Sequence, residues 1–219
     1  MNNRQFCTNK GRGSLSAVST FFFCLMLSLT GCQKTEPPIE YVLPDSVQLH
    51  SGDLVFRKGI STESHAVMAL DRKSDYTHVG MVMWDRGQWR VLHAVPSERA
   101  TEQEEDSVKL EPIGTFFRSD RAEIGGVYRY PLSSDDTLGL LRRGLALYYG
   151  RHPLFDNRFD EKDSNAYYCT ELVCFLYLQV VGVDLSEGRR HNIPLYPNLI
   201  FCSDVFQNSL LEEIFTFEQ

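Results

Sequence analysis

The stretch Tyr167-Tyr168-Cys169-Thr170-Glu171-Leu172-Val173-Cys174-Phe175-Leu176-Tyr177 decides how the chain is read, because it is an almost unbroken apolar run with a cysteine near its front edge. A loop rich in Asp and Asn (Asp156, Asn157, Asp160, Asp163, Asn165) precedes it and Gly182 follows it, the start and stop signals of a helix. The run predicts one buried helix over residues 168–181 with Cys169 in its first turn. Free N–H groups and the positive end of the helix dipole there favour thiolate over thiol, which makes Cys169 a candidate nucleophile. A small buried apolar residue is the other reading of such a cysteine. This stretch alone leaves the two even. Glu171, also in the first turn, reads as a dipole-complementing or loop-tying residue.

Upstream, Thr77-His78-Val79-Gly80-Met81-Val82-Met83-Trp84 and Trp89-Arg90-Val91-Leu92-His93-Ala94-Val95 flank Asp85-Arg86-Gly87-Gln88, two β-rich runs around a glycine turn. If the turn centres between Arg86 and Gly87, Gly80 faces His93 and His78 faces Val95. His78 and His93 then share a face as diagonal neighbours, roughly 7–8 Å apart and within reach of ring side chains. A bulge or an odd-length turn would put them on opposite faces. Trp84 and Trp89 would pair across the same turn.

Around these two units the chain predicts a strand at Gly52-Asp53-Leu54-Val55-Phe56-Arg57, with Asp53 in a turn role, and a weakly helical stretch over 61–73. An acidic, solvated loop spans 97–108, and one or two strands lie in 109–131. Ser133-Ser134-Asp135-Asp136 supplies an N-cap and acidic first turn for a helix from Thr137 to Tyr149, stopped by Gly150. Residues 151–166 read as a long polar loop; Arg158 and Lys162 interrupt its oxygens and the required glycine is absent, so it is no calcium loop. In the tail, Ile193-Pro194-Leu195-Tyr196-Pro197 is extended and a final strand or helix falls near Leu199 to Val205. Strands first and then two helices make an α+β domain.

The first 31 of the 219 residues carry Arg4, Lys10 and Arg12 without an acid, then a mostly apolar Leu15 to Thr30, which is the pattern of a secretory signal. It ends in Leu29-Thr30-Gly31-Cys32, which resembles the bacterial lipoprotein cleavage box. That resemblance implies residues 1–31 as a lipoprotein signal peptide, Cys32 as the lipidated N-terminus, 32–44 as a linker and 45–219 as the folded domain. Gln33 after the cysteine implies sorting to the outer membrane. Without the leader, 19 basic residues (22 less those three) face 29 acidic ones, a net charge of −10. Such a charge argues against nucleic acid as a partner and against electrostatic attachment to anionic lipid, leaving the lipid on Cys32 as the membrane anchor. Cys169, Cys174 and Cys202 remain as thiols, an odd number, so at least one stays free. Cys169 and Cys174 are five apart on one helix and should not pair.

Cysteine hydrolysis needs a thiolate, an imidazole within hydrogen-bond reach, a third group orienting that imidazole, and oxyanion donors. His78, His93 and Cys169 supply the first three, and the backbone N–H of Cys169 with a nearby side chain such as Tyr168 the fourth, Thr170 supporting the cleft beside them. Two histidines and a thiol are also a zinc set, but no close CxxC or HxxxH spacing supports one. No metal and no cofactor is expected. His50, His65, His152 and His191 have no partner recognisable in the sequence.

Gly52-Asp53-Leu54-Val55-Phe56-Arg57, Thr77-His78-Val79-Gly80-Met81-Val82, and Phe155-Asp156 leading into Tyr168-Cys169-Thr170-Glu171-Leu172-Val173 resemble the permuted NlpC-type papain-like hydrolases, specifically their YiiX/YebB-like branch. The resemblance covers about residues 45–182. It implies a circularly permuted papain-like fold, an antiparallel sheet packed against a central helix carrying the cysteine, with Cys169 as nucleophile and His78 as base. Many relatives place Glu where His93 stands as the third residue. The implied function is hydrolysis or acyl transfer at an amide or ester carbonyl of a peptide or lipid. An envelope lipoprotein is placed for cell-wall peptides, which ranks an amidase or peptidase first. A lipid acyltransferase or thioesterase, or a catalytically silent binding module, are the alternatives.

Overall fold

The computed structural model describes residues 38–60, 69–98, 105–159, 165–194 and 196–219. The signal segment, Cys32, His65 and most of the expected 61–73 helix lie outside them, as does the middle of the acidic loop.

Strand β1 (Leu54–Lys58) lies between β2 (His78–Asp85) and β5 (Ile124–Arg129), and the sheet continues through β3 (Gln88–Val95) and β4 (Ser107–Pro112). Two-residue strands β6 (Leu154–Phe155) and β7 (Ala166–Tyr167) extend one edge, and β10 (Glu212–Glu218) closes the other beside β5. The order β10-β5-β1-β2-β3-β4-β6-β7 is antiparallel throughout except for the β6–β7 pair. A separate hairpin joins β8 (His191–Ile193) to β9 (Tyr196–Leu199). Among the described residues the helices bounded at both ends are α1 (Ile113–Phe116), α2 (Ser134–Arg151), α3 (Cys169–Val180) and α4 (Cys202–Phe206). The expected α+β class, with a large, mostly antiparallel sheet and a few helices, is what the structure has.

Strand alternation gives the sheet two apolar faces. Leu54, Phe56, Met81, Met83 and Leu92 pack with Leu172, Val173, Leu176 and Tyr177 of α3 and with Leu140 and Leu147 of α2. The Tyr177 hydroxyl donates 2.6 Å to the Gly52 carbonyl, tying α3 to the turn that leads into β1. On the opposite face Val55, Val82, Val91 and Val127 pack with Phe116 and Phe117. Tyr41, Leu43 and Val47 cover that second cluster, and Tyr41 stacks on Phe217 with ring centres 3.7 Å apart. Chain contacts with the domain therefore begin before the expected boundary at residue 45.

The β2–β3 hairpin has the predicted register, from Asp85↔Gln88 through Trp84↔Trp89 to Met81↔Leu92. Arg86 and Gly87 both have positive φ, the backbone that a two-residue turn between right-twisted strands requires. Helix α2 is capped as expected, the Asp136 N–H donating 3.1 Å to Ser133 Oγ. It does not stop at Gly150 but runs to Arg151, with left-handed His152 as its C-cap. Glycine lowers helix propensity without forcing termination when the following turn can still form. The presumed loop over 151–166 contributes β6 and β7, and the tail holds α4 and also the unforeseen β10.

Gly80 leaves no room for a side chain beside β3: a Cβ there would lie 2.4 Å from Val91 Cγ1 and 3.0 Å from His93 Cβ. Gly150 has nothing within 4 Å of its Cβ position. Gly80→Ala should therefore cost about 1–3 kcal/mol by overpacking, and Gly150→Ala should gain roughly 0.4–1 kcal/mol through the unfolded chain. Urea unfolding midpoints of the two variants should move in opposite directions; a common sign would contradict this packing.

Candidate active site

The first residue of α3, Cys169, is held at the open end of the β2–β3 ladder. Val82 N–H donates to the carbonyl of Asp53, the residue just before β1, so β2 residues of opposite parity such as Val79 turn their N–H towards β3. The ladder to β3 last pairs at Met81↔Leu92. The Val79 N–H, freed from strand pairing, donates to the Cys169 sulfur instead. Cys169 is also hydrogen-bonded to His78, the first residue of β2. Its N-terminal flank is fixed by the Tyr168 N–H donating 3.1 Å to Glu171, the tying role expected of that residue.

His78 and His93 meet as the register predicts, Nε2 of His78 lying 2.9 Å from Nδ1 of His93 and the ring centres 5.1 Å apart. Both are buried, His93 completely. Phe116 of α1 lies parallel to the His78 ring at 5.6 Å and edge-on to His93 at 5.1 Å, so one aromatic wall fixes both imidazoles. The other nitrogen of His93, Nε2, lies 3.1 Å from Glu111 Oε1, with the carboxylate off the ideal N–H···O line.

Glu111 was not among the expected site residues. It sits on β4, opposite Val91 and diagonal to His93, which itself faces Lys109. Its carboxylate takes both bonds from Arg121 Nη1 at 2.9 and 3.0 Å. Arg121 also approaches Glu98 at 3.2 Å, and Glu98 pairs with the guanidinium of Arg57. Arg57 in turn donates 2.6 Å to the Phe116 carbonyl and lies over the Phe116 ring at 4.5 Å. Glu98, assigned to a solvated loop by sequence, is thus part of the wall behind the site.

Burial pushes the His78 imidazole down to about 4, against the raising effect of Cys169, with nearby Arg57 adding to the depression. The Cys169 thiol is held well below its ordinary value: the hydrogen bond from Cys202 is the largest influence, and His78 and the Val79 N–H add to it against desolvation. Burial alone would raise Glu111, but His93 and Arg121 outweigh it and hold the carboxyl well below the usual range.

Cys169 and His78 line a cavity of about 850 Å³. Arg57, Glu98 and Arg121 stand on one side of it, and Ile60, Leu70, Phe155, Phe159, Leu199 and Phe201 give it an apolar wall. Tyr168 and Thr170 support this cleft. The Thr170 hydroxyl donates 2.7 Å to the Ile200 carbonyl, and the Ile200 N–H donates 3.2 Å to the Tyr168 hydroxyl. Thr170's hydroxyl proton is therefore directed to the main chain and away from a bound carbonyl.

Solved structures include one with this architecture. The metalloprotein YiiX (DUF1105) from Escherichia coli O157:H7 superposes with a TM-score of 0.63 at 21% identity, covering 78% of this chain and 99% of its own. The chain has the YiiX fold. No family model matches the chain, and no curated protein matches it significantly in sequence. On this YiiX fold the two imidazoles spend facing nitrogens on each other at 2.9 Å, closer than two ligands of one tetrahedral zinc with bonds of about 2.0–2.1 Å would stand. Among the described residues no three His, Cys, Asp or Glu side chains are grouped to hold a metal ion. His78, His93 and Cys169 do not fit as a metal set.

Of the other residues, Asp53 has its turn role, accepting 2.7 Å from the His50 N–H, and is also clamped by Arg129 at 2.7 and 2.8 Å. His191 does have a partner: Nε2 lies 2.9 Å from Asp204 Oδ2. It was missed because β8 and α4 come together only in the tertiary fold. His152 caps α2 and packs on Tyr148. Trp84 and Trp89 pair across the turn at 4.9 Å.

The site's electrostatics set a pH profile for Cys169 alkylation by iodoacetamide. Because the folded thiol is depressed, labelling should stay fast below pH 7 and fall only as acid protonates the sulfur. Glu111→Gln should move the midpoint of that profile up by about one unit, tenfold in thiolate fraction on its acid side. His78→Ala should move it further towards the value of about 8.5 for a free thiol. Three superimposable profiles would disconnect Glu111 and His78 from the sulfur.

Proposed function

We propose that the chain is a thiol-dependent hydrolase of the permuted papain-like type, an amidase or peptidase working through a Cys169 thioacyl intermediate with His78 as base. The observation that carries this reading is the file Cys169, His78, His93 and Glu111: hydrogen bonds join Cys169 to His78 and His78 to His93, the Glu111 carboxylate stands 3.1 Å from the far nitrogen of His93, and Cys169 lines a cavity. The Cys169 sulfur attacks the carbonyl carbon of an amide and its proton passes to His78. The backbone N–H at the start of α3 serves the developing oxyanion. His78 then protonates the leaving amine, and the C–N bond breaks to leave a thioester on Cys169. Water deprotonated by His78 attacks the thioester, the acid leaves, and the thiol is restored. His93 is a positioning residue for His78, and Glu111 for His93.

The YiiX protein is described as a metalloprotein; His78, His93 and Cys169 do not make a metal set here, and no step of the proposed reaction uses one. Lipidation at Cys32 and a place in the cell envelope, at the outer membrane, remain part of the reading on the strength of the leader sequence, and cell-wall peptides as substrate follow from that place. A lipid acyltransferase or thioesterase on the same site is the second reading, favoured by the apolar wall from Phe155 to Phe201, which suits an acyl chain.

Purified protein should be assayed against parallel panels of wall-peptide amides and of fatty-acyl esters and thioesters. Turnover of amides, lost in Cys169→Ala and reduced about 10²- to 10⁴-fold in His78→Ala, is the expected result. Turnover confined to acyl esters or thioesters would select the second reading. Binding without turnover in either panel would leave a silent binding module and defeat the hydrolase proposal.

A further inference from the structure

Cys169 has a second thiol beside it. Cys202 opens α4 as Cys169 opens α3, and the Cys202 thiol is hydrogen-bonded to the Cys169 sulfur. The two helix starts are pinned together by the Ile200 main chain, its carbonyl taking the Thr170 hydroxyl and its N–H reaching Tyr168. Both cysteines line the same cavity, Cys169 half-buried and Cys202 almost wholly buried. The Ser203 N–H, next in the chain, is anchored 2.9 Å from Asp71 Oδ2, so the start of α4 is held from two sides. Cys174, in contrast, is buried among the core residues on α3.

We infer that Cys169 and Cys202 form a reversible oxidative modification site, in which a hydroperoxide oxidises Cys169 and Cys202 resolves the product as an intramolecular disulfide. This rests on Cys169 being the reactive thiolate of the proposed hydrolase. The Cys169 thiolate attacks the distal oxygen of hydrogen peroxide, the O–O bond breaks, and hydroxide leaves as a sulfenic acid forms on Cys169. The Cys202 sulfur then displaces that hydroxyl; the S–S bond forms, and the thiol proton leaves with the hydroxyl as water. A dithiol reductant restores both thiols and is itself oxidised to a disulfide.

The arrangement suits this chemistry for a physical reason. A thiolate that accepts a hydrogen bond from a neighbouring thiol already has that sulfur closer than any outside reductant. The hydrogen bond with Cys169, together with burial, pushes the Cys202 thiol well up while Cys169 is held down, so the two sulfurs differ in role: the more exposed Cys169 is the readier nucleophile, and the more buried Cys202 is the thiol beside it. The disulfide would occupy the nucleophile and stop hydrolysis, while protecting Cys169 from irreversible oxidation to sulfinic and sulfonic acids.

The test uses the purified full chain, fully reduced, exposed at neutral pH to hydrogen peroxide near one equivalent and then analysed by intact mass and non-reducing peptide mapping. The expected product has lost two hydrogens, joins the Cys169 and Cys202 peptides, and regains rapid iodoacetamide labelling on treatment with dithiothreitol. Cys174→Ser should behave as wild type. Cys202→Ser should instead accumulate a dimedone-reactive sulfenic acid and no disulfide, and with excess peroxide it should pass to sulfinic and sulfonic acids that dithiothreitol does not return to a labelling thiol. Oxidation of wild-type Cys169 directly to the sulfinic acid, with Cys202 unmodified, would overturn the pairing and leave the hydrolase reading standing. A Cys169 that neither oxidises nor labels at pH 6 would overturn both.

Discussion

An imidazole acts as a base only through the nitrogen that carries no proton, and here that nitrogen is chosen two side chains away. An ionised carboxylate can only accept, so Glu111 demands the proton of His93 on Nε2. That leaves His93 Nδ1 as an acceptor, which requires His78 to donate from Nε2. Nδ1 of His78 is then the bare nitrogen, available to the thiol of Cys169. Every upstream feature of the fold bears on this order. The β2–β3 register puts the two rings on one face, β4 sets Glu111 diagonal to His93, and Phe116 keeps the rings from turning. A third residue that is itself a histidine need not lack an acid, because the acid stands one strand further out.

The carboxylate is affordable in that position because its charge is balanced locally. Glu111 and Glu98 face Arg121 and Arg57, two negative and two positive groups joined by close ion pairs and hydrogen bonds. Burying an unpaired carboxylate would cost several kcal/mol or protonate it. Arg121 keeps Glu111 ionised, and Arg57 is secured by Glu98 and by the carbonyl of Phe116, the same residue that braces the imidazoles. The balance also limits what reaches His78. Arg57 acts on it as a positive neighbour and disfavours its imidazolium.

Local signals made much of this legible from sequence. The helix that begins at Cys169 was marked by its apolar run and by Gly182, and the hairpin register by Arg86-Gly87. Each depends on neighbours within a few residues. Glu111 was hidden because β3 and β4 are joined by a long acidic segment, not a tight turn, and register across a long connection is set by packing. With Met81↔Leu92 fixed, the same diagonal rule would have paired His93 with residue 111 had the His93↔Lys109 alignment been known. Glu98 was read as solvated because charge runs usually are, and nothing near it in sequence announces Arg57. Cys202 was counted as a thiol, but its place beside Cys169 depends on a hydrogen-bonded contact between chain segments 30 residues apart.

The depressed His78 and the depressed Cys169 are hard to reconcile if the proton leaving the sulfur must stay on His78, where burial and Arg57 both oppose it. The hydrogen-bond order removes the conflict. When His78 takes the thiol proton on Nδ1, it can release the proton on Nε2 along its 2.9 Å bond to His93. The positive charge then rests on a ring whose far nitrogen faces Glu111, and His78 is neutral again with Nδ1–H directed at the thiolate. Three donors surround the sulfur in that state: His78, the Val79 N–H and the Cys202 thiol. Coulomb attraction draws positive charge towards the second imidazole, 3.1 Å from the carboxylate, while burial and Arg57's like charge oppose it on the first. In the proposed reaction the histidine pair therefore separates two tasks that a single imidazole must combine. One ring exchanges protons with the reacting groups, and the other holds the charge beside its carboxylate.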